Sequence, residues 1–389
     1  MVTSRRFPQE LLNQSKRARL RFFKKFEKAI LHRNLKICYQ NAKRVIYEPA
    51  GASVIMVIGP SGVGKTTLLN LIKRKIKEGV FLEQAEENDR IPFVDVEAVA
   101  PGATTFRWKD FYKRTLLIVD KLLGGYIDYD IEGIRRNQGN LLIASRVSES
   151  ELREALEKAI SELKPHALAM DEMQHIGKMT NSQTLESHMD CVKSIVNLTK
   201  VPWVGFGTYQ LLDFLKLSPQ LSRRRQIIHF QRYKTNKQDL EEFRRILKNL
   251  QFKFPLLEVP DLSAEHWEFC YERSIGCVGT LIDWLTQAFA LALEEEANTI
   301  TATHLEKTAK SVAECAQMLE NAMEGETKLQ DSLEERDQLR SLLGLSLIQK
   351  GNVQTDDSIT SQPDEESKSL PPRRPGTRNP ERDPVGELA

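Results

Sequence analysis

The most constraining feature of the sequence is the eight-residue loop GPSGVGKT at residues 59–66. It follows a short apolar run, SVIMVI at 53–58, and precedes a helical pattern, TTLLNLIKRKIKE. This is the G-x-x-x-x-G-K-[ST] pattern of a phosphate-binding loop, in the strand–loop–helix context that its mechanism requires. Glycines let backbone amides wrap around phosphate oxygens, and the helix N-terminus adds the positive end of its dipole. That context disfavours the alternative of a plain glycine turn.

Two side chains of this loop have separate predicted roles. Lys65 is expected to reach the β- and γ-phosphates of ATP, and Thr66 is expected to place its hydroxyl on Mg²⁺. ATP and Mg²⁺ are therefore the predicted cofactors. The predicted nucleotide-binding residues are Gly59, Pro60, Ser61, Gly62, Val63, Gly64, Lys65, Thr66, Thr67 and, from a second strand, Asp171.

A second apolar run, HALAM at 166–170, ends in two adjacent carboxylates, Asp171 and Glu172. Two acids at the end of a buried strand repel each other and lose hydration unless a cation or polar site lies beside them. In a P-loop fold, a second strand delivers an aspartate to the bound Mg²⁺. Asp171 is the predicted metal-site partner of Thr66, and Glu172 is predicted to polarise the attacking water. The alternative is a surface acid pair at a strand end.

Two further elements carry candidate catalytic residues. The apolar run PWVGFGT at 202–208 ends in Thr208, which is predicted to sense the γ-phosphate; the alternative is a cap of the strand end. Residues 222–225 read SRRR, and Arg223 and Arg224 are the predicted arginine finger for the γ-phosphate of a neighbouring subunit. The alternative is a solvated basic turn.

Apolar runs alternate with helical patterns up to about residue 234, and this order predicts an α/β fold with a doubly wound parallel sheet. Residues 124–140 are interpreted as a loop or insertion. We expect five parts: a basic helical segment at 1–45, a P-loop core at 46–234, an α-helical lid at 235–325, a helical extension at 326–349 and a disordered tail at 350–389. The tail is polar and proline-rich, with almost no large apolar residue.

Charge is unevenly distributed along the chain. Residues 1–45 contain 13 Lys or Arg against two acids, whereas the formal net charge of the whole chain is only +2. Such a basic segment is a candidate polyanion-binding surface, and a solvated helix face is the alternative. Five cysteines without a CxxC pair favour reduced thiols, and the sequence lacks a transmembrane run or an apolar signal core. We therefore expect a cytoplasmic protein.

GPSGVGKT, MDEMQH, VGFGT and SRRRQIIHF, followed by a helical lid, together resemble the AAA+ ATPases. More narrowly, the chain resembles the transposition regulators TnsC and TniB, and more distantly IstB and the replication initiator and loader ATPases. The resemblance covers roughly residues 20–320. It implies an ATP-dependent oligomer, either a hexameric ring or a helical filament, that encircles duplex DNA and links a target-site selector to a transposase.

The resemblance also places DNA-facing basic residues on the helix after the second strand and on a nearby loop. Here that helix contains Lys109, with Arg107 and Lys113 near it, and the following loop contains Arg135 and Arg136. Each of these side chains can equally be a solvated surface charge.

One position departs from the family pattern. The stretch GCVGTLIDWL at 276–285 has Thr280 where many AAA+ lids have an arginine that senses the γ-phosphate. Gating of the lid through that residue is not expected, and hydrolysis is expected to be slow. Two other functions stay open: a helicase or helicase loader of the same fold class, and a nucleotide switch in signalling or defence that holds ATP and binds proteins.

Overall fold

The computed structural model describes residues 7–27, 30–48, 51–83, 93–100, 102, 105–125, 127–178, 182–216, 225–330 and 332–345. The chain divides into two compact units, residues 1–330 and 331–389. In the second unit the described residues form one helix, Leu333–Leu342, which begins with a capping box between Ser332 and Glu335. The tail predicted to be disordered, 350–389, lies outside the described residues.

Five parallel strands form the sheet of the first unit: β1 Val54–Ile58, β2 Val94–Glu97, β5 Leu168–Asp171, β6 Trp203–Gly207 and β7 Arg225–His229. Their order in the sheet is β2-β5-β6-β1-β7. All residues of the interior strand β1 are buried, because helices cover both faces of the sheet. Its register pairs Val54 with Trp203 on one side and with Arg225 on the other. This is the predicted doubly wound parallel sheet.

The helices follow the alternation that the sequence predicts. Around the sheet they are α1 Gln9–Leu12, α2 Lys16–Glu27, α3 Arg33–Tyr47, α4 Lys65–Glu83, α5 Trp108–Leu122, α6 Glu149–Leu163, α7 Ser182–Thr199 and α8 Leu211–Lys216. After the sheet they are α9 Lys237–Gln251, α10 Trp267–Ser274, α11 Val278–Glu294, α12 Ala302–Thr308 and α13 Val312–Lys328, and α14 is the helix of the second unit. We use "lid" for α9 to α12.

The interpretation of residues 124–140 as a loop was wrong in part. Strand β3, Ile134–Asn137, pairs antiparallel with β4, Asn140–Ile143. The two residues between them, Gln138 and Gly139, have φ angles of +48° and +81°, which suit a tight hairpin turn that follows the twist of the strands. Both strands have only four residues, and half of their residues are exposed; β3 has no apolar run, and β4 has only a short one, at 141–143.

Two apolar cores organise the first unit. The larger surrounds the sheet, and the smaller is inside the lid. The basic N-terminal segment divides between them: α3 buries Leu35 and Ala42 in the first core, whereas α2 buries Phe23 in the second. The ring of Phe23 stacks on that of Phe254 with centroids 4.3 Å apart. The N-terminal helices therefore tie the lid to the sheet domain.

Helix α13 is fixed to the sheet domain by a buried ion pair. Arg232 Nε lies 2.9 Å from Glu326 Oε1, and Lys234 Nζ lies 3.1 Å from the other oxygen. Gly325 allows the same helix to approach Tyr209 closely, since a Cβ there would lie 2.0 Å from the tyrosine ring. The predicted boundary between lid and extension, at 325/326, falls inside this helix.

No single helix within the described ranges is long and apolar enough to span a membrane. Helices α10 and α11 reach that length and composition only as a pair, and they are bent by 116° relative to each other.

Candidate nucleotide-binding site

The loop between β1 and α4 has the backbone shape that a phosphate cradle needs. Gly62 and Gly64 have φ angles of +74° and +112°, a region that residues with a side chain rarely adopt. Gly59 is required for a different reason: a Cβ there would lie 2.4 Å from the carbonyl oxygen of Phe230. The predicted loop thus wraps around the N-terminus of α4, whose first residue is Lys65.

Lys65 is buried inside this loop, with 7% of its surface exposed. Its Nζ donates hydrogen bonds to the carbonyl oxygens of Gly59, at 3.1 Å, and Pro60, at 2.9 Å. Burial lowers the pKa of Lys65, whereas the nearby carboxylates of Glu172 and Asp171 raise it. The ammonium group therefore lies at the loop, near two acids.

The hydroxyl of Thr66 and the carboxylate of Asp171 meet at the carboxyl edge of the sheet. Thr66 Oγ1 donates to Asp171 Oδ2 at 2.9 Å, and the backbone N–H of Glu172 donates to Oδ1 at 2.9 Å. Burial raises the pKa of the Asp171 carboxyl, and these two hydrogen bonds lower it. A hydroxyl and a carboxylate are the hard oxygen ligands that Mg²⁺ prefers. The structure therefore brings together the two residues predicted for the metal.

Glu172 is held in an unusual backbone conformation beside this pair. Its φ of +52° is in the left-handed region, which is uncommon for a residue with a side chain. Gln174, which is buried, donates from Nε2 to Glu172 Oε2 at 2.5 Å. Its own Oε1 accepts a hydrogen bond from the backbone N–H of Thr208 at 3.2 Å. Gln174 thus links the acid after β5 to the end of β6.

Gln174 was not predicted as a site residue. The only signal in the sequence was its position two residues after Glu172 in MDEMQH, and that spacing does not reveal a contact with another strand.

The side chain of Thr208 supplies an independent indication of a ligand. Its Oγ1 is buried and makes no hydrogen bond within the part of the chain that the structure describes. A buried hydroxyl without a partner costs about 1–3 kcal/mol. Thr208 lines the same cavity as Lys65 and Glu172, so a polar group bound there can supply the missing partner.

These residues line one cavity of about 300 Å³. The lining divides by chemistry into two sets of residues. The first set, which we call the polar end, contains the phosphate-binding loop, Glu172, Gln174 and Thr208. The second set, which we call the apolar end, is mainly apolar and comes from the N-terminal segment and the lid: Ile30, His32, Leu35, Val278, Ile282 and Asp283.

The lid contacts the phosphate-binding loop directly through backbone atoms. The N–H of Thr280, near the start of α11, donates to the carbonyl oxygen of Gly62 at 2.9 Å. Gly279 allows this approach, since a Cβ there would lie 2.5 Å from the same oxygen. Where many related lids have an arginine, this chain therefore has a small residue packed on the loop.

The basic residues predicted on α5 are at its first turns. Arg107 is exposed and lies 3.7 Å from Asp110, whereas Lys109 and Lys113 are partly exposed. Lys109 Nζ donates to the carbonyl oxygen of Ser145 at 3.0 Å. Their role in DNA binding stays a prediction.

The two arginines predicted on the following loop differ in their surroundings. Arg135 is exposed on β3. Arg136 instead donates from Nη1 to Asp120 Oδ2 at 3.0 Å and from Nη2 to the carbonyl of Ile127 at 2.8 Å. These contacts favour a structural role for Arg136 at the base of the hairpin. Arg223 and Arg224, the predicted arginine finger, lie outside the described residues.

The sheet, the loop and the cavity define a P-loop nucleotide-binding fold. Residues 48–215 match the family model of the AAA domain. With the strand order and the helical region that follows the sheet, this gives the AAA+ P-loop fold. No curated protein sequence matches this chain.

Three solved structures illustrate the similarity of fold. The ORC1 protein of Aeropyrum pernix in complex with DNA has a TM-score of 0.48 at 16% identity, and the match covers 72% of this chain and 65% of that one. The ORC2 protein of A. pernix has a TM-score of 0.45 at 17% identity, with 71% and 66% covered. The Thermotoga maritima RuvB branch migration motor has a TM-score of 0.35 at 15% identity, with 71% and 67% covered. This chain thus spans slightly less than two thirds of the two ORC chains, and these values support no inference about function.

The contact between Gly62 and Thr280 predicts the effect of adding a single methyl group. Gly62→Ala places a Cβ at φ +74° and 2.0 Å from Thr280 Oγ1, so backbone strain and a clash with the lid combine. We expect a loss of about 2–4 kcal/mol in unfolding free energy and nucleotide affinity weakened by roughly tenfold or more. Urea unfolding and titration with a fluorescent ATP analogue measure the two effects.

Gly51→Ala is the matched control, because Gly51 has φ +87° but no atom within 4 Å of the position that a Cβ would take. It should lose only about 1–2 kcal/mol, from backbone strain, and keep wild-type nucleotide affinity. Equal effects of the two substitutions on nucleotide affinity would contradict the contact between lid and loop.

Proposed function

We propose that this protein binds and hydrolyses ATP with Mg²⁺ and assembles on duplex DNA as a regulator of transposition. One observation carries the enzymatic part: Lys65, Thr66 and Glu172 line a single cavity with the unpartnered hydroxyl of Thr208, and Asp171 is hydrogen-bonded to Thr66. This arrangement suits a triphosphate at the polar end of the cavity.

Each side chain at that end has a role that its position supports. Lys65 and backbone N–H groups of the phosphate-binding loop bind phosphate oxygens. Thr66 and Asp171 would hold Mg²⁺, which when bound neutralises charge on the phosphates. Glu172, positioned by Gln174, orients and deprotonates the attacking water, and the Thr208 hydroxyl binds near the terminal phosphate. Arg223 or Arg224 of a neighbouring copy would complete the site as the arginine finger.

Glu172→Gln tests hydrolysis most directly. The substitution keeps the size of the side chain and one oxygen that can accept from Gln174 but removes the base, so we expect ATP turnover to fall by about 10²- to 10⁴-fold with ATP affinity retained. Release of inorganic phosphate and fluorescence titration measure the two quantities. Glu97→Gln is the control, an exposed carboxylate at the same edge of the sheet, on β2. Turnover in Glu172→Gln equal to that of the control would refute the assignment of the base.

The apolar end of the cavity supports adenine as the base. Burial lowers the pKa of His32 to about 4, so its ring is neutral. His32 Nδ1 lies 3.0 Å from the hydroxyl of Tyr233 and accepts from the N–H of Leu35 at 3.4 Å. Since Nδ1 accepts, the proton of the neutral ring is on Nε2, which makes that atom a donor.

Asp283 supplies an acceptor at the same end. An acceptor and a donor that line the same cavity can match the amino group and ring nitrogen of adenine, whereas guanine presents a carbonyl oxygen where adenine has its amino group. The Asp283 carboxylate would accept from the amino group and repel that carbonyl. We therefore propose that Asp283 and His32 select ATP over GTP.

Asp283→Asn tests this selection, because an amide can donate to the carbonyl of guanine as well as accept from adenine. We expect the ratio of ATP affinity to GTP affinity to shrink by about tenfold. Competition of each nucleotide against a fluorescent analogue gives the ratio. The control, Glu294→Gln, changes an exposed acid on the same helix and outside the cavity. An unchanged ratio in Asp283→Asn would remove Asp283 from base recognition.

The DNA-binding part of the proposal rests on the resemblance to TnsC and TniB and on basic surface residues. The proposed DNA contacts are Lys109, Arg107, Lys113 and Arg135. Arg136 is a weaker candidate for a DNA contact, because its guanidinium already pairs with Asp120. The protein would form a hexameric ring or helical filament around the duplex and bind a transposase and a target selector. Binding to a random-sequence duplex that weakens steeply with salt tests this part, because such binding releases counterions.

A replication-type ATPase, such as a helicase loader of the same fold, is the second candidate. If the protein does not unwind a forked duplex, it is not a helicase, and the transposition regulator and the helicase loader both stay as candidates. A nucleotide switch in signalling or defence would hold ATP and show no affinity for duplex DNA.

A further inference from the structure

Helix α2 presents four cations on one exposed side. Arg17, Arg21, Lys24 and Lys25 are all exposed, and their spacing of four, seven and eight residues places them on adjacent turns of one helix face. We call these four residues the basic stripe. The opposite side of the helix carries Phe23, which is buried in the lid core.

The charges at the start of the stripe act against the helix that carries them, whereas Lys24 and Lys25 lie in its last turn, where cations suit the helix dipole. The first turn of α2 has no acid and begins Lys16, Arg17, at the end where the helix dipole is positive. Arg17 with Arg21, and Arg21 with Lys25, are like-charged pairs four residues apart, which destabilise a helix. By contrast, α6 and α13 begin with a serine and a glutamate that form capping boxes. The arrangement in α2 suits a surface that meets an external polyanion.

Within the described residues, Arg17, Arg21 and Lys25 make no side-chain hydrogen bond or ion pair with the rest of the chain. Lys24 lies close enough to Asp283 to oppose the rise that burial causes in the pKa of that carboxyl. Most of the stripe is therefore available to a partner.

The helix is nevertheless held firmly on the lid. Arg19 Nε donates to the carbonyl oxygen of Pro255 at 3.0 Å, and Lys16 Nζ donates to that of Glu294 at 3.2 Å. Phe23 stacks on Phe254 from the same side of the helix. Because Leu20 and Phe23 pack into the lid core, the described side chains of α2 leave no free apolar face to insert into a bilayer, as a membrane-surface helix requires.

We propose that the basic stripe binds the sugar–phosphate backbone of duplex DNA, at a surface separate from the residues of α5 and β3. This inference rests on the proposed DNA binding and adds to it a contact made by the lid side of the protein. Arg17 and Lys25 are separated by about 12 Å along the helix axis. Each strand of a duplex has one phosphate per about 3.4 Å of its axis, so the stripe spans about three phosphates. Contacts of this kind carry no base sequence information.

The test compares two double variants of equal charge. Arg17→Gln/Arg21→Gln removes half of the stripe, whereas Lys164→Gln/Lys200→Gln removes two exposed lysines that precede β5 and β6, at the opposite edge of the sheet from the nucleotide site. Affinity for a labelled random-sequence duplex is measured across a range of salt concentrations with an ATP analogue present. Binding of the fluorescent ATP analogue and the thermal midpoint report whether each variant is folded.

For Arg17→Gln/Arg21→Gln we expect the slope of log affinity against log salt to fall by about 1.8 and the affinity to weaken by roughly tenfold. The lysine control should keep the wild-type slope, and all proteins should bind the nucleotide analogue equally. Equal slopes for the two variants would overturn the proposed contact between the basic stripe and DNA, while DNA binding by the wild-type protein would still stand.

Wild-type protein that binds no duplex would overturn both this inference and the proposed DNA binding. Loss of binding to anionic vesicles in the arginine variant, with DNA affinity unchanged, would assign the stripe to a membrane and also overturn the inference.

Discussion

The hydrogen bond between Thr66 and Asp171 joins the two segments on which the candidate site depends. Thr66 is in the first turn of α4, and Asp171 is the last residue of β5, two strands away from β1 in the sheet. The parallel order of the strands brings their carboxyl ends to one edge, so residues 105 positions apart in sequence become neighbours. Burial of Asp171 is costly on its own, and the hydroxyl of Thr66 and the amide of Glu172 compensate part of that cost.

A second constraint comes from the lid. The start of α11 approaches the phosphate-binding loop so closely that only glycine fits at positions 62 and 279. On the other side of the lid, α2 packs against α11, and α3 packs on the sheet domain. The same helix, α11, therefore contacts both the nucleotide loop and the helix that carries the basic stripe. By linkage, a ligand that changes the position of α11 would change the affinity of the other site.

The sequence was sufficient where a residue's role follows from its local pattern. The phosphate-binding loop, the acid pair after β5 and the sheet strands all have short, distinctive signals: glycine spacing, adjacent carboxylates or an apolar run. The two residues predicted for the metal come from such signals and meet in the structure. The hairpin of β3 and β4 was missed because its strands have only four residues each and only β4 contains a short apolar run, at 141–143.

Contacts between distant segments that belong to no recurring sequence motif could not be predicted. The bridge from Glu172 through Gln174 to Thr208 joins two strands, and the pairing of Arg136 with Asp120 joins a hairpin to a helix. The sequence also indicated that Thr280 replaces the usual lid arginine, but only the structure gives the backbone contact with Gly62. Such contacts have no fixed spacing along the chain.

We propose that ATP assembles this protein on duplex DNA. The decisive experiment is the titration of a labelled random-sequence duplex in ATP, in a slowly hydrolysed analogue and without nucleotide. We expect cooperative binding that requires nucleotide and is tightest with the analogue, since hydrolysis would release the complex. Equal binding in all three conditions would contradict assembly by ATP and leave the basic residues as a passive anchor.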